Sequence, residues 1–176
     1  GDLFLRGENN VRITDSNSNK MFLGQHDGEV QLYHNGLEKF HTTSTGINVL
    51  GSGVFTTADN TDTLTLKSTD ADGNSGPILR LNRDSGSPAD GDVIGEIHFN
   101  ADDDAGNTTS FFSMSANIRD ASNGDEDVQM VFKGFSGGNN VNYLEIDGNH
   151  VVFNEGSADI DFRVESNGAT HMLFVD

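Results

Sequence analysis

The sequence has no cysteine and no tryptophan, only two prolines among 176 residues, and ten Lys and Arg against 28 Asp and Glu. Each shortage excludes something. Without Cys there is no disulfide, no thiolate metal centre and no Cys nucleophile, and the redox compartment stays open. Without Trp a polysaccharide cleft lacks its largest stacking platform, and only Tyr33 and Tyr143 supplement the phenylalanines. A net charge of -18 argues against nucleic-acid binding, where cations must displace the counterions of phosphates. It argues equally against an anionic membrane surface. No apolar run approaches the roughly 20 residues of a membrane helix, and no signal-peptide pattern is visible. A first residue of Gly1 rather than Met is expected of a fragment or a processed product. Hydrophobic residues make up 34%, below the roughly 45–50% of a globular domain on a slightly broader count. So thin a core fits a chain whose apolar surface is completed by neighbouring copies, or one with very short strands.

Turn signals are abundant. Asx-Gly pairs stand at Asp27-Gly28, Asn35-Gly36, Asp72-Gly73, Asp90-Gly91, Asn123-Gly124, Asp147-Gly148 and Asn167-Gly168. Such pairs favour the hairpin turns that need positive φ at both central residues. Between them lie short runs of period two. Phe112, Met114, Ala116 and Ile118 share one face, with Ser113, Ser115 and Asn117 on the other. Val128, Met130 and Phe132 repeat this, as do Ile160, Phe162 and Val164. Further candidate strands are 64–67, 78–82, 93–99, 141–146 and 151–153. Short strands punctuated by turns predict an all-β protein, and no window carries a helical stripe.

Charge divides the chain. Residues 1–56 carry six acids and four bases, whereas residues 57–176 carry 22 acids and six bases. The Gly/Ser/Thr-rich stretch from Gly51 to Asn60 marks a soft boundary. Three segments are expected: a slender β shaft over 1–56, a β-rich knob over 57–155 and shaft-like strands over 156–176. The first part offers strands of three to five residues, at 3–5, 11–14, 21–23, 30–34, 39–42 and 47–50. Sheets of such strands are marginal alone, so pairing between chains is expected, each unit relying on its neighbours for burial. A loose internal similarity links residues 9–15 with 139–147, both Asn-Asn followed by an alternating strand and an Asp.

The chemistry-bearing residue types resolve into few patterns. Read as a calcium loop, Asp70, Asp72 and Asn74 fit the first three ligand positions, but Ser75 stands where Gly is needed and Leu81 where a bidentate Glu is needed. Starting at Asp102 puts Asn107 and Ser113 at those places and also fails. Glycosidases need two carboxylates about 5–10 Å apart, a spacing that 28 acids reach by chance. His26, His34 and His41 are spaced by hairpin lengths, and no His-x-His is present. There is no Gly-x-Ser-x-Gly elbow and no phosphate-cradling Gly motif. No catalytic residue, metal ligand or cofactor is therefore assigned. Phe99, Phe112, Phe132, Phe153, Phe162 and Phe174 are expected in a core, within the chain or between subunits.

The segment from Glu29 to Gly51 resembles a recurring part of tailed-bacteriophage tail fibres. That family pattern runs as a strand V-x-L-Y-x-N-G, a strand x-K-x-x-T-T-x-x-G, and an exit ending V-x-G. Here it meets Val30, Leu32, Tyr33, Asn35, Gly36, Lys39, Thr42, Thr43, Gly46, Val49 and Gly51, with His34 where an aromatic is usual. Residues 153–176 resemble another stretch of such fibres, one that leads toward a self-cleaving assembly chaperone not included up to Asp176. Residues 1–23 and 91–99 are similar to the same material, less specifically. The resemblance implies an all-β, intertwined homotrimeric virion fibre with short antiparallel hairpins and a sandwich- or prism-like knob. It implies other virion tail proteins and a host-surface glycan or outer-membrane protein as partners, with no enzymatic activity, no nucleic acid and no membrane insertion. The alternatives are a monomeric carbohydrate-binding or adhesin β-sandwich of a bacterial surface protein, and a purely structural head or collar fibre. Loops carry function more often than strands. The expected receptor contacts are therefore Asp102, Asp103, Asp104 and Asn107 in one loop and Asn123 and Asp125 in another.

Overall fold

The computed structural model describes residues 5–164. The chain separates into two compact units that divide between Pro77 and Ile78. The first holds β1 (Asn10–Thr14), β2 (Lys20–Gln25), β3 (Val30–His34), β4 (Leu37–Thr42) and β5 (Ile47–Val49); the second holds β6 (Val93–Asp102), β7 (Thr108–Asp120), β8 (Asp127–Ser136), β9 (Asn139–Asp147) and β10 (Val151–Phe153). Each set forms one five-stranded sheet in chain order. Every pairing is antiparallel, and no helix occurs among the described residues. The protein is all-β. Its short first strands pair with one another along the chain, because turns of two to five residues bring each strand back beside its predecessor.

The turn chemistry explains that topology. Asn35 and Gly36 have φ of 51° and 73° and close the β3–β4 hairpin at His34 opposite Leu37, as a two-residue turn of that handedness requires. Gly137 and Gly138, at 56° and 83°, do the same between β8 and β9. This Gly-Gly pair is a turn that the Asx-Gly pattern alone misses. Asp27-Gly28, Asn123-Gly124 and Asp147-Gly148 fall at strand connections, whereas Asp72-Gly73 lies in the strandless stretch between β5 and β6. Asn167-Gly168 is outside the described residues.

Register sorts the side chains. In the second sheet Ile97, Met114, Phe132, Leu144 and Phe153 form a row across all five strands. Beside it runs Gly95, Ala116, Met130, Ile146 and Val151. This face is apolar throughout. The opposite face carries Glu96, Ser115, Val131, Glu145 and Val152 as one row, flanked by Asn117 and Gln129. The alternation expected for residues 112–118 and 128–132 is therefore present. The first sheet has the same plan. Ile13, Phe22, Leu32, Phe40 and Val49 cross it on one face, and Arg12, Leu23, Gln31, His41 and Asn48 on the other. Bulges reset the pleat. One lies between β6 and β7, where Phe99 faces Phe112 but Asn100 faces Ser110, so that Phe111 is the extra residue.

Burial runs opposite to polarity. The only buried hydrophobic side chains among the described residues are Leu23, 5% exposed, and Val131, 3% exposed. Both sit on the polar faces, under long polar neighbours. The apolar faces are open: Phe99 is 55% exposed and Phe153 51%. Phe99 meets Phe112 at 5.9 Å between ring centroids and Phe153 meets Phe162 at 4.7 Å, so these rings cluster without being enclosed. Phe174 is outside the described residues.

Three expected strands are absent from the sheets. Residues 64–67 and 78–82 pair with nothing, and Leu64, Leu66, Ile78 and Leu79 are exposed. Ile160, Phe162 and Val164 also join neither sheet. Alternation supplies a face, but a strand also needs a hydrogen-bonding edge, and the chain brings none to these segments. Leu3 and Phe4, and the segment beyond Val164, lie outside the described residues. The likeness of residues 9–15 to 139–147 does not mark equivalent positions either. One is the first strand of its sheet and the other the fourth.

Candidate functional site

The six expected contact residues fall into two groups at opposite ends of one strand. Asp103, Asp104 and Asn107 lie in the β6–β7 connection, with Asp102 closing β6, and Asn123 and Asp125 lie in the β7–β8 connection. β7 is 13 residues long, so at about 3.3 Å per residue the two loops are roughly 40 Å apart. They cannot touch one small ligand together. The β6–β7 loop shares its end of the sheet with the Gly137-Gly138 turn. The β7–β8 loop shares the other end with Asp90 and the Asp147–His150 turn.

The β6–β7 loop is built by Asp103. Its carboxylate accepts from the backbone N–H of Ala105 at 2.9 Å and of Asn107 at 2.8 Å, and from the Asn107 amide at 3.0 Å. The Asp103 N–H donates to the Asn107 carbonyl, the Gly106 N–H to the Asp103 carbonyl, and Gly106 has a φ of 83°. The Thr108 hydroxyl donates to Asp102 at 2.9 Å. Asp103 is half-buried, whereas Asp102, Asp104 and Asn107 are exposed. The same construction closes β1 onto β2. Asp15 accepts from the N–H groups of Asn17 and Asn19 and from the Asn19 side chain, each at 2.8 Å, and Ser18 takes a φ of 66°. Asp-x-x-(Gly/Ser)-Asn is thus a structural loop motif used once per sheet. Its signal, an Asp and an Asn four residues apart between alternating runs, is visible in the sequence, but the run of three acids around Asp103 masks it.

These bonds fix the loop carboxylates in their charged form. The Asn107 N–H and side chain, then Ala105 and Gly106, hold the Asp103 carboxyl below the usual range. Asn19 and Asn17 do the same for Asp15. Asp59, in the strandless stretch, is lowered to about 2 by the hydroxyls of Thr61 and Thr57. A carboxyl whose folded value is depressed adds stability above its ordinary value and loses it as pH falls through the folded one. The loops are therefore expected to hold at neutral pH and to loosen below pH 3.8, down toward about 2 at Asp59. Asp103→Ala is expected to raise hydrogen exchange at the amides of residues 105 and 107 by about tenfold or more, as local opening becomes easier. The amides of Asn17 and Asn19, held by Asp15, are expected to be unchanged.

At the far end, the Ala121 N–H donates to Asp90 at 2.9 Å and the Ser122 N–H to Asp120 at 2.8 Å. The Asp125 N–H donates to the Ser122 carbonyl at 3.0 Å. Asn123 and Asp125 are exposed at the tip. Asp147 caps the neighbouring turn by accepting from the N–H groups of Asn149 and His150. Arg83 reaches in from before β6, pairing with Asp92 at 2.9 Å and donating to the Val93 carbonyl at 2.9 Å. This acid-rich end is legible only in part from the sequence, because Asp90 and Asp147 are brought to it by the topology.

The polar faces hold networks that the sequence does not announce. In the first sheet the Gln31 amide donates to both Glu29 and Glu38 at 2.8 Å, its carbonyl accepts from the Tyr33 hydroxyl at 2.6 Å, and His41 pairs with Glu38. In the second sheet Asn117, Gln129, Glu145 and Asn142 form a chain across three strands. Leu23 pairs with Gln31 of the first network and Val131 with Glu145 of the second. Among the described residues no three His, Asp or Glu side chains converge as metal ligands. No family model, no curated protein and no solved structure matches this chain.

Proposed function

We propose that the chain is part of a tailed-bacteriophage tail fibre, a non-enzymatic virion component that forms a homotrimer, joins other tail proteins and attaches to a host-surface glycan or outer-membrane protein. The observation that carries the reading is the pair of one-layer five-stranded meanders in one chain, each apolar on one face and polar on the other. Such modules suit a long, repetitive appendage better than an enclosed catalytic site. The fibre-like segment from Glu29 to Gly51 supports it too, since it occupies β3, its Asn35-Gly36 turn, β4 and β5. The net charge of -18 keeps such a rod soluble by self-repulsion.

Receptor contact in this reading belongs to one end of the β6–β10 sheet at a time. Weak sites on three copies gain strength when a cell presents many receptors. The test is competition. Cells of the host incubated with the purified chain are expected to lose virion adsorption by about tenfold or more at saturation, the scale that multivalent binding supplies. Full adsorption by cells exposed to saturating chain removes the attachment role. Gold-labelled antibody decorating the head or collar, and not the tail, moves the chain to a structural fibre.

A further inference from the structure

We infer that the apolar face of the β6–β10 sheet is the surface through which copies of this chain associate. This deepens the fibre reading above and rests on it only for the number of copies, three. A sheet with one apolar face must bury it against another layer, yet each unit contributes a single sheet among the described residues, and the chain's own Leu81 beside Gly95 and Phe162 beside Phe153 leave much of the face exposed. The face is wide. Ile97, Phe99, Met130, Ile146, Val151 and Phe153 are all exposed on it, and they come from four of the five strands. Isolated apolar residues on a surface are ordinary, but a contiguous patch of this extent marks an interaction site.

Charge selects the occupant. Most of the chain's net charge of -18 lies in residues 57–176, so copies of the second unit repel one another wherever their carboxylates face. The two rows through Met114 and Met130 contain no ionisable side chain, so this face is where like-charged copies can meet without opposing carboxylates. A foreign partner chosen by charge complementarity would seek the acidic loops instead. The first sheet, with Ile13, Phe22, Leu32, Phe40 and Val49 in its apolar row, offers a second face of the same kind.

The absence of Cys from the sequence allows a direct test on the whole chain. Met130→Cys places one thiol on the apolar face, and Glu96→Cys places one on the polar face. With a maleimide reagent, Met130→Cys in the native protein is expected to label about tenfold or more slowly than Glu96→Cys, a protection typical of sites that open only by dissociation or local unfolding. In denaturant the two should label alike. Light scattering of the native Met130→Cys variant is expected to give three times 18.9 kDa. Equal labelling of the two native variants overturns the inference. So does protection of the Met130→Cys thiol in a particle of 18.9 kDa, which would mean the chain covers its own face. Protection with a mass of two copies keeps this face as the self-interface and removes the three-fold fibre. A protected assembly that leaves virion adsorption untouched keeps the interface and removes the attachment role.

Discussion

Gly134→Val is expected to lower stability by about 3 kcal/mol, at the upper end of what an overpacked site costs. Gly134 is buried in β8, between Phe112 on one neighbouring strand and Val141 on the other. A Cβ there would lie 2.9 Å from the Tyr143 ring, 3.1 Å from the Phe112 ring and 3.1 Å from the Phe111 carbonyl. The contacts cannot all move away. The Phe111 carbonyl is backbone inside the β6–β7 bulge, and the Tyr143 ring is tethered by its hydroxyl, which donates to the Phe135 carbonyl at 3.0 Å. A glycine inside a strand often marks such a close approach. Chemical denaturation monitored by far-ultraviolet dichroism reads the change. Gly53→Ala, where an added Cβ meets nothing within 4 Å, is the control and is expected to stay within about 0.5 kcal/mol of the parent, as surface changes do. A Gly134→Val variant as stable as that control would mean that β7, β8 and β9 are not stacked in the register described.

Leu23→Ala is expected to cost about 2 kcal/mol, the low end for a buried leucine. Leu23 is one of two buried hydrophobic side chains among the described residues. It lies opposite Arg12 and Gln31 on the polar face of the first sheet. Its cover is made of polar side chains, so water can partly refill the space and soften the loss. Against a typical total of about 5–15 kcal/mol, that remains a large fraction for one residue. Thermal unfolding checks it. Leu5→Ala, at a residue 60% exposed, is expected to change little. Equal shifts for the two would mean that the polar face does not shelter Leu23.

Much of the fold was legible because its cues are local. Residues 112–118 and 128–132 alternate cleanly, and Asn35-Gly36 demands the turn it makes. Misses came where the cue was not local. Residues 64–67, 78–82 and 160–164 have the composition of strands but no edge to pair with inside the chain. The bulge at Phe111 flips the faces of Ser110 and Phe112 without any change of residue type that announces it. The candidate site was legible as a set of loops but not as a site. Whether Asp103 and Asp125 stand together depends on β7 running between them, and strand length and direction settle that. Asp103 also reads as a free acid in a run of three, whereas its carboxylate is occupied by the backbone of its own loop.

Meander order has a kinetic consequence. Every ladder in both sheets closes over a connection of two to six residues, so each strand finds its partner among residues just synthesised. Chains with such local pairing fold quickly, since little loop entropy must be spent before contacts form. In the proposed assembly each sheet is complete before a second chain arrives, and the slow step is the encounter of finished sheets. The yield of that assembly would accordingly depend on how many chains are made close together in time, more than on how fast any one of them folds.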